Sequence, residues 1–552
     1  MYQIQDFTIP ELVVKASRHF AGRPALTMLG KPPVPYEDLE PRSRRIAALL
    51  GLLGVKQGDR VALLSENRPE WGLAYFGISR TGAVAVPILT DFIPEQITNI
   101  LDHSESVAVF VSQRFLSKLE GQAGKRIVID VESLEVLSGG STPTADAVDL
   151  AAGGFKAPKI EADSLAAIVY TSGTTGHSKG VMLTHRNFIF DAWACRKFIV
   201  LNRRDRLLSI LPLAHTYEFT IGFIIPMMHG SCVYYLDRPP SATALLPALR
   251  AVQPTIVLSV PLVIEKIYHS NIQPTLEAMG AYKVSWLRPL LRRLAGVKLM
   301  KTFGGKIRFF GIGGAPLAAD VEDFLQAAHF PYSIGYGLTE TAPMVAGNRP
   351  GRVKAHTTGF AATDVEVRIA DKRPDTGEGE IQVRGANVSP GYYRDEARSA
   401  EVFMPDGWFR TGDLGTMDEA GRITVRGRLK TMILGSSGEN IYPEEIEAVL
   451  NSSPYVVESL VYSDEKGLTA LVHLKPEVLH EVGAVLKDGI EHAEEGLQHA
   501  EKAAAHLLER IKKDTNERLA AFSRIRHVRL QHEPFEKTPK QSIKRFLYPK
   551  KR

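Results

Sequence analysis

Between about residue 40 and residue 130, short apolar runs alternate with stretches of helical character. The runs "RVALLSE", "AVAVPIL", "VAVFVS" and "RIVID" are short, rich in Val, and separated by longer polar-apolar stretches. Runs of that length and composition predict strands buried on both faces, and the stretches between them predict helices. Such an alternation points to a parallel sheet covered by helices. Further strands are expected at "TIVLSV", "KIRFFGIGG", "EVRIA" and "GEIQVRG". The stretch "SGGSTPTADAVDLAAGGFKAPK", rich in Gly, Ser, Thr, Pro and Ala, predicts a surface excursion.

Two segments have helical period with a charged face. Val284 to Lys306, "VSWLRPLLRRLAGVKLMKTFGGK", is amphipathic and basic. The expectation is a solvated helix packed on the core through Trp286, Leu287, Leu290 and Leu291. The alternative is a helix touching anionic lipid or guarding an acyl entrance. Glu481 to Leu519 is polar and alanine-rich, and is expected to be helical and to pack on a small C-terminal unit. The composition changes after Arg428, which places a domain boundary near Gly427–Lys430: a large domain is expected over residues 1–427 and a small one over 431–552, with 428–430 between them.

The chain has 552 residues, too many for one ordinary core. Its 44% hydrophobic and 23% charged residues, with a mean hydropathy of −0.08, describe a globular protein. A net charge of +5 is small for this length and gives no reason to expect a nucleic-acid partner. Two cysteines, Cys195 and Cys232, exclude a disulfide framework and fit a reducing compartment. The N-terminal stretch has early acidic residues and no long apolar core, so no signal peptide is expected, and no apolar run reaches 18 residues. The expected address is the cytoplasm, with peripheral membrane contact an open alternative; oligomeric state is left open.

The candidate chemistry begins with "YTSGTTGHSKGVMLTH", Tyr170 to His185. It packs three glycines, six Ser/Thr hydroxyls and a lysine into sixteen residues. That is the make-up of a phosphate cradle, but not of a Walker A loop, whose lysine directly follows its second glycine. Here Gly173, Gly176 and Lys179 stand three apart. "GIGGAPL" offers bare backbone after a strand, where a flat ring or a phosphate can approach. In "SIGYGLTETAP", Tyr336 could stack on a base, Thr339 could donate to a phosphate, and Glu340 could hold magnesium. "WFRTGDLG" sets Asp413 in a glycine-flanked turn, where a carboxylate can take both hydroxyls of a ribose; an Asx-turn is the plainer account.

Taken in order, "YTSGTTGHSKG", "YGLTET", "WFRTGDLG" and "GRLKTMILGSSGENIYPEEIE" resemble the core motifs of the adenylate-forming superfamily of acyl-CoA synthetases, luciferases and adenylation domains, over nearly the whole chain. The resemblance implies an α/β fold with a large multi-sheet N-terminal domain and a small mobile α+β C-terminal domain. It implies ATP, Mg²⁺ and coenzyme A, and a fatty or other carboxylic acid activated as acyl-AMP before transfer to a thiol. The nucleotide would be held by Thr171, Ser172, Gly173, Thr174, Thr175, Gly176 and Lys179, by Gly314, Ala315 and Pro316, by Gly335, Tyr336, Gly337 and Thr339, and by Asp413 and Arg428. Thr175 and Glu340 would hold the metal. Lys430 would sit at the hinge, and Gly435, Ser436, Ser437, Gly438, Glu439 and Asn440 would line the thiol tunnel in a second domain pose.

"LPLAHTYEF", Leu211 to Phe219, is similar to the form this motif takes in bacterial long-chain acyl-CoA synthetases. The resemblance puts His215 and Phe219 on the acyl or thiol channel; on its own, His215 would be a satisfied core histidine. The apolar neighbourhood suits an alkyl or aryl tail, each buried methylene contributing about 0.8 kcal/mol. A fatty acid is expected first, aryl or short-chain acids and a carrier-protein acceptor after it. The C-terminal "FEKTPKQSIKR" departs from the family pattern: aligned on Ile543 and Arg545, it sets Ser542 where the family has a lysine for adenylation. Three readings follow: Lys540 or Lys544 substitutes, reaching from the same face of an extended segment about 6.8 Å per two residues away; adenylation is slow while thioester formation persists; or the chain binds nucleotide without turnover.

Overall fold

The computed structural model describes residues 4–121, 124–172, 178–238, 240–434, 440–464, 467–478, 495–538 and 543–548. Within residues 60–130 the strands Arg60–Leu64, Val84–Pro87, Ser106–Val111 and Ile127–Asp130 pair in parallel, as the apolar runs predict. They belong to an eight-stranded sheet, and helices such as Tyr36–Leu52 and Pro69–Thr81 cover it. Helix Pro69–Thr81 is buried along nearly all its length, because Trp71, Tyr75 and Phe76 bury themselves in the largest core cluster. The predicted surface excursion contains a short helix, Ala145–Gly153, started by the Thr144 side chain accepting from the Ala147 N–H.

A second sheet has thirteen strands. Its centre, Arg206–Ser209, Ile256–Ser259, Phe309–Ile312 and Tyr332–Gly337, is parallel, whereas the half that follows Tyr332–Gly337 is antiparallel. "EVRIA" and "GEIQVRG" are therefore strands of a hairpin, Glu366–Ala370 with Gly379–Arg384. From Ile433 onward the chain forms a separate small core: helix Pro443–Asn451 and a three-stranded sheet, Val456–Asp464, Gly467–Leu474 and His527–Leu530, enclose Ile446, Leu450, Ala470, Val472 and Ile511. Ile511 comes from helix Glu495–Asn516, which lies in the predicted helical segment and packs on this small core.

Two expectations are corrected. Asp413 is not in a turn. It lies in strand Phe409–Met417, directly opposite Arg428 of strand Arg422–Arg428. The left-handed φ of Gly412 kinks this strand without ending it. Helix Arg288–Thr302 does not pack through Trp286 and Leu290, which are 76% and 55% exposed; its covered side is Leu291, Ala295, Gly296 and Leu299.

Candidate functional site

The described residues on either side of the glycine-rich segment are two paired strands. Strands Leu165–Ser172 and Ser178–Thr184 pair antiparallel, with Tyr170 opposite Gly180 and Thr171 opposite Lys179. Gly173, Thr174, Thr175, Gly176 and His177 lie outside the described residues, as do the side chains of Ser172 and Ser178. Among the described residues the next helix, His185–Ala194, begins directly after the second strand. At the base of the loop the Thr171 hydroxyl is buried without a hydrogen-bond partner. Such a group suits a ligand oxygen.

Lys179 reaches across the sheet to residues far away in sequence. Its Nζ donates to Glu340 Oε1 at 2.5 Å and to the Tyr392 hydroxyl at 2.8 Å, and stands 4.3 Å from the centre of the Tyr392 ring. The Tyr392 hydroxyl in turn donates to Glu340 Oε1 at 3.0 Å. Tyr392 is set there by a two-residue strand, Gly391–Tyr392, pairing with Met182 and Val181 beyond the loop. Burial and the neighbouring Glu340 carboxylate push the Tyr392 phenol up, so it stays a donor. Sequence reasoning missed Tyr392; the signal available was "SPGYYR", a Gly–aromatic pair after a predicted strand.

Strands Phe309–Ile312 and Tyr332–Gly337 run parallel, Ile312 beside Ile334, so their C-terminal ends deliver Gly313–Pro316 and Gly337–Glu340 to one edge of the sheet. That edge is where open α/β sheets bind ligands. Gly314 takes φ +87° and faces open space, with only Val260 Cγ1 at 3.9 Å from where a Cβ would be; its neighbours Ala315 and Pro316 continue the exposed rim. Gly337 is required for packing instead: a Cβ there would lie 1.8 Å from the Pro343 carbonyl oxygen. Gly335 pairs with Gly347, and Thr339 and Glu340 form a single buried 3₁₀ turn.

On the same side the Tyr336 hydroxyl donates to Asp413 Oδ2 at 2.7 Å, and Arg428 Nε lies 3.0 Å from Asp413 Oδ1. Tyr336 is buried to its hydroxyl in this arrangement, so its tip holds the carboxylate. Desolvation raises the Asp413 carboxyl while the Arg428 charge opposes it; Arg428 is raised by the same pairing. The Thr339 carbonyl closes its own turn, accepting from the Ala342 N–H at 3.3 Å.

Below the edge the segment Glu218–Ile224 is a π-helical turn lined with apolar side chains. Phe219 packs on Tyr75 with ring centres 4.4 Å apart and on Phe188 at 4.9 Å, and both help line a small apolar hollow with Pro87, Val169, Leu213 and Thr216. His215 sits half-buried at the head of the segment, its carbonyl accepting from the Phe219 N–H. Glu218 lies within this apolar ground, holding the Ser209 hydroxyl at 2.5 Å, with its other oxygen unpartnered. Burial pushes its carboxyl up to about 8.

The C-terminal candidates are divided. Lys430 is exposed in the turn where the Thr431 and Met432 N–H groups bond back to Arg428. Asn440 is drawn to the large sheet, accepting from Arg373 at 3.0 Å and donating to Glu378 at 3.3 Å, with the Tyr442 hydroxyl on the same Glu378 oxygen at 2.8 Å. Gly435, Ser436, Ser437, Gly438 and Glu439 lie outside the described residues. Lys544 pairs with Glu536 at 3.2 Å, and Lys537 bridges Ile543, whereas Lys540 and Ser542 lie outside the described residues. Arg545 anchors the tail on Glu447 and Glu444.

Residues 13–393, which carry the hairpin loop, both glycine-rich edge loops and Tyr392, match the sequence profile described as AMP-binding enzyme. The chain belongs to that family, the adenylate-forming enzymes. It is 34% identical over 465 residues to the long-chain-fatty-acid–CoA ligase FadD15 of Mycobacterium bovis, covering 78% of this chain and 76% of that one. It is 31% identical over 525 residues to the peroxisomal long chain acyl-CoA synthetase 6 of Arabidopsis thaliana, covering 87% and 74%. The fold superposes with a TM-score of 0.77 on an anthranilate CoA ligase solved with anthranoyl-AMP, at 21% identity and covering 99% and 97%. The family's two-domain architecture is thus the fold of this chain.

Proposed function

We propose that this chain is an acid–thiol ligase that activates a fatty acid with ATP, forming acyl-AMP and releasing pyrophosphate, and then transfers the acyl group to coenzyme A with release of AMP. The observation that carries this reading is the meeting of three distant segments, Lys179, Glu340 and Tyr392, with the Asp413–Tyr336–Arg428 group near enough for the Glu340 charge to act on Asp413. A carboxylate and a triphosphate are both anions, so their approach needs cations and N–H donors at the α-phosphate. Lys179 supplies a fixed positive charge. The hairpin backbone and the orphaned Thr171 hydroxyl supply donors for phosphate oxygens. Asp413, aimed by Tyr336 and Arg428, takes the ribose hydroxyls. Glu340 is the carboxylate that, with Thr175, would hold Mg²⁺, which supplies charge neutralisation at the phosphates.

His215 and Phe219 would border the channel for the alkyl tail, an assignment supported by the substrates named for the curated relatives. The hinge at 428–430 would let the small domain change pose between the two half-reactions, with Lys430 and Asn440 exchanging partners. Ser542 makes the first half-reaction the one in question. Lys544 is already paired with Glu536, which favours Lys540 as the lysine that substitutes. Two buried cysteines without a bridge fit a cytoplasmic address; among the described residues no helix is long and apolar enough to cross a membrane.

The test is thioester formation by the purified protein with ATP, Mg²⁺ and a C8–C18 series of acids, offering coenzyme A in one arm and a holo-acyl carrier protein in the other. Acyl-CoA formation is expected. Turnover only on the carrier protein would make the chain a carrier-directed ligase, and ATP binding without AMP release in either arm would refute the enzyme reading.

A further inference from the structure

Helix Arg288–Thr302 and the turn before it carry an apolar ridge that faces away from the protein. Trp286 is 76% exposed, Leu290 55%, Leu294 57% and Val297 51%. At about 100° per residue these helical positions fall on one side, and Leu291, Ala295 and Leu299 fall on the other. The covered side is fixed tightly: a Cβ on Gly296 would lie 2.6 Å from the Ala328 carbonyl oxygen, so the helix cannot roll to bury its ridge. Four large apolar side chains in a row on one exposed face exceed the scatter expected of a surface.

The charge around the ridge says what covers it. Between Ala278 and Lys306 there are seven basic residues and no acidic one. Lys298 and Lys301 flank the ridge, Arg293 stands exposed beside it, and Arg288 and Arg292 are held by Tyr282. A second copy of the chain would bring two such sets of cations together with no anion between them. A nucleic acid would meet the cations and leave the Leu–Trp ridge in water. An anionic bilayer meets both, with phosphate headgroups at the cations and the acyl boundary at the ridge. Fifteen residues make a helix about 22 Å long, suited to lying in the interface rather than crossing it. Trp286 at one end is the side chain that headgroup-level interfaces favour.

We infer that the outer face of helix Arg288–Thr302 seats this protein on an anionic membrane surface. The inference stands on the exposed ridge and its charge, independently of the ligase assignment. It also leaves room for a function in which the acid is collected from the bilayer.

The test is flotation of the full chain with vesicles of pure phosphatidylcholine and of equal parts phosphatidylcholine and phosphatidylglycerol. Binding to the anionic vesicles and not to the neutral ones is expected, with loss at 0.5 M salt. Trp286→Ser with Leu290→Ser, and separately Arg293→Glu with Lys298→Glu, should each lower partitioning at least tenfold. These side chains are exposed, so circular dichroism and melting should match the unaltered chain. Failure of the unaltered chain to float would overturn the proposal. So would undiminished binding of both variants, which would move the contact to the basic C-terminal tail. Sedimentation velocity showing a dimer that the Trp286/Leu290 variant dissociates would make the face a contact between copies, and would also refute it.

Discussion

Lys179 and Glu340 stand 161 residues apart and meet at 2.5 Å, with Tyr392 closing the triangle. Glu340→Gln keeps the size and removes the charge. Adenylation measured by AMP release should fall by about 10²-fold or more, while acyl transfer from a supplied acyl-adenylate to coenzyme A falls far less. Equal losses in both half-reactions would mean that the residue only holds the fold. Glu218 yields a prediction about pH. Its folded carboxyl titrates near 8 against an ordinary 4.5, so folding takes up a proton and stability declines as pH rises between those values. Glu218→Gln should flatten that slope, and its advantage over the unaltered chain should exceed about 1 kcal/mol at pH 8 and vanish near pH 4.5. A denaturant series at both pH values measures it. Lys179, Glu340 and Asp413 were legible because glycines and hydroxyls around them mark backbone that must stay bare. Tyr392 and Glu218 were not: one acts through a strand register, of which the Gly–aromatic pair in "SPGYYR" is the sole local trace, and the other through burial, which leaves no local pattern.

The π-helical turn Glu218–Ile224 turns Phe219 onto Tyr75 and Phe188 and closes the floor of the apolar hollow. Phe219→Ala should move the preferred acid to longer chains by two or more carbons, read as kcat/KM across the C8–C18 series. It should also cost about 3–5 kcal/mol of stability from the cavity it leaves. An unchanged chain-length profile would remove Phe219 from the acyl site. The strands of residues 60–130 were legible from their apolar runs, because a strand buried on both faces has only one composition open to it. Helix Arg288–Thr302 was legible as a helix but not in its orientation. Its period separates two apolar sides, Leu290–Leu294–Val297 and Leu291–Ala295–Leu299, and the sequence does not say that Ala328 waits under Gly296. Asp413 was misplaced for a related reason: glycines that signal a turn can also kink a strand that continues.

Among the described residues, polar contacts of Arg373, Glu378 and Arg426 with Asn440, Tyr442 and Glu445 join the large sheet to the part of the chain after residue 430. A joint of that kind suits a domain that must let go. Glu378→Ala leaves the Tyr442 hydroxyl and Arg426 without their shared partner, and should speed proteolytic cleavage around residues 428–434 with little change in the melting of either core. Cleavage at the unaltered rate would mean that the pose is fixed elsewhere. The motif order along the chain made this two-part plan legible, whereas the join of a parallel to an antiparallel half in one thirteen-stranded sheet was not, since strand runs carry no direction.

Ser542 bears on whether the whole assembly turns over. AMP formation with ATP, Mg²⁺, coenzyme A and palmitate, by the unaltered protein beside Ser542→Lys, decides it. Comparable rates are expected on the proposal that Lys540 serves the adenylation pose. An inactive unaltered protein that the lysine restores would contradict the ligase account and leave a chain that binds nucleotide without activating an acid.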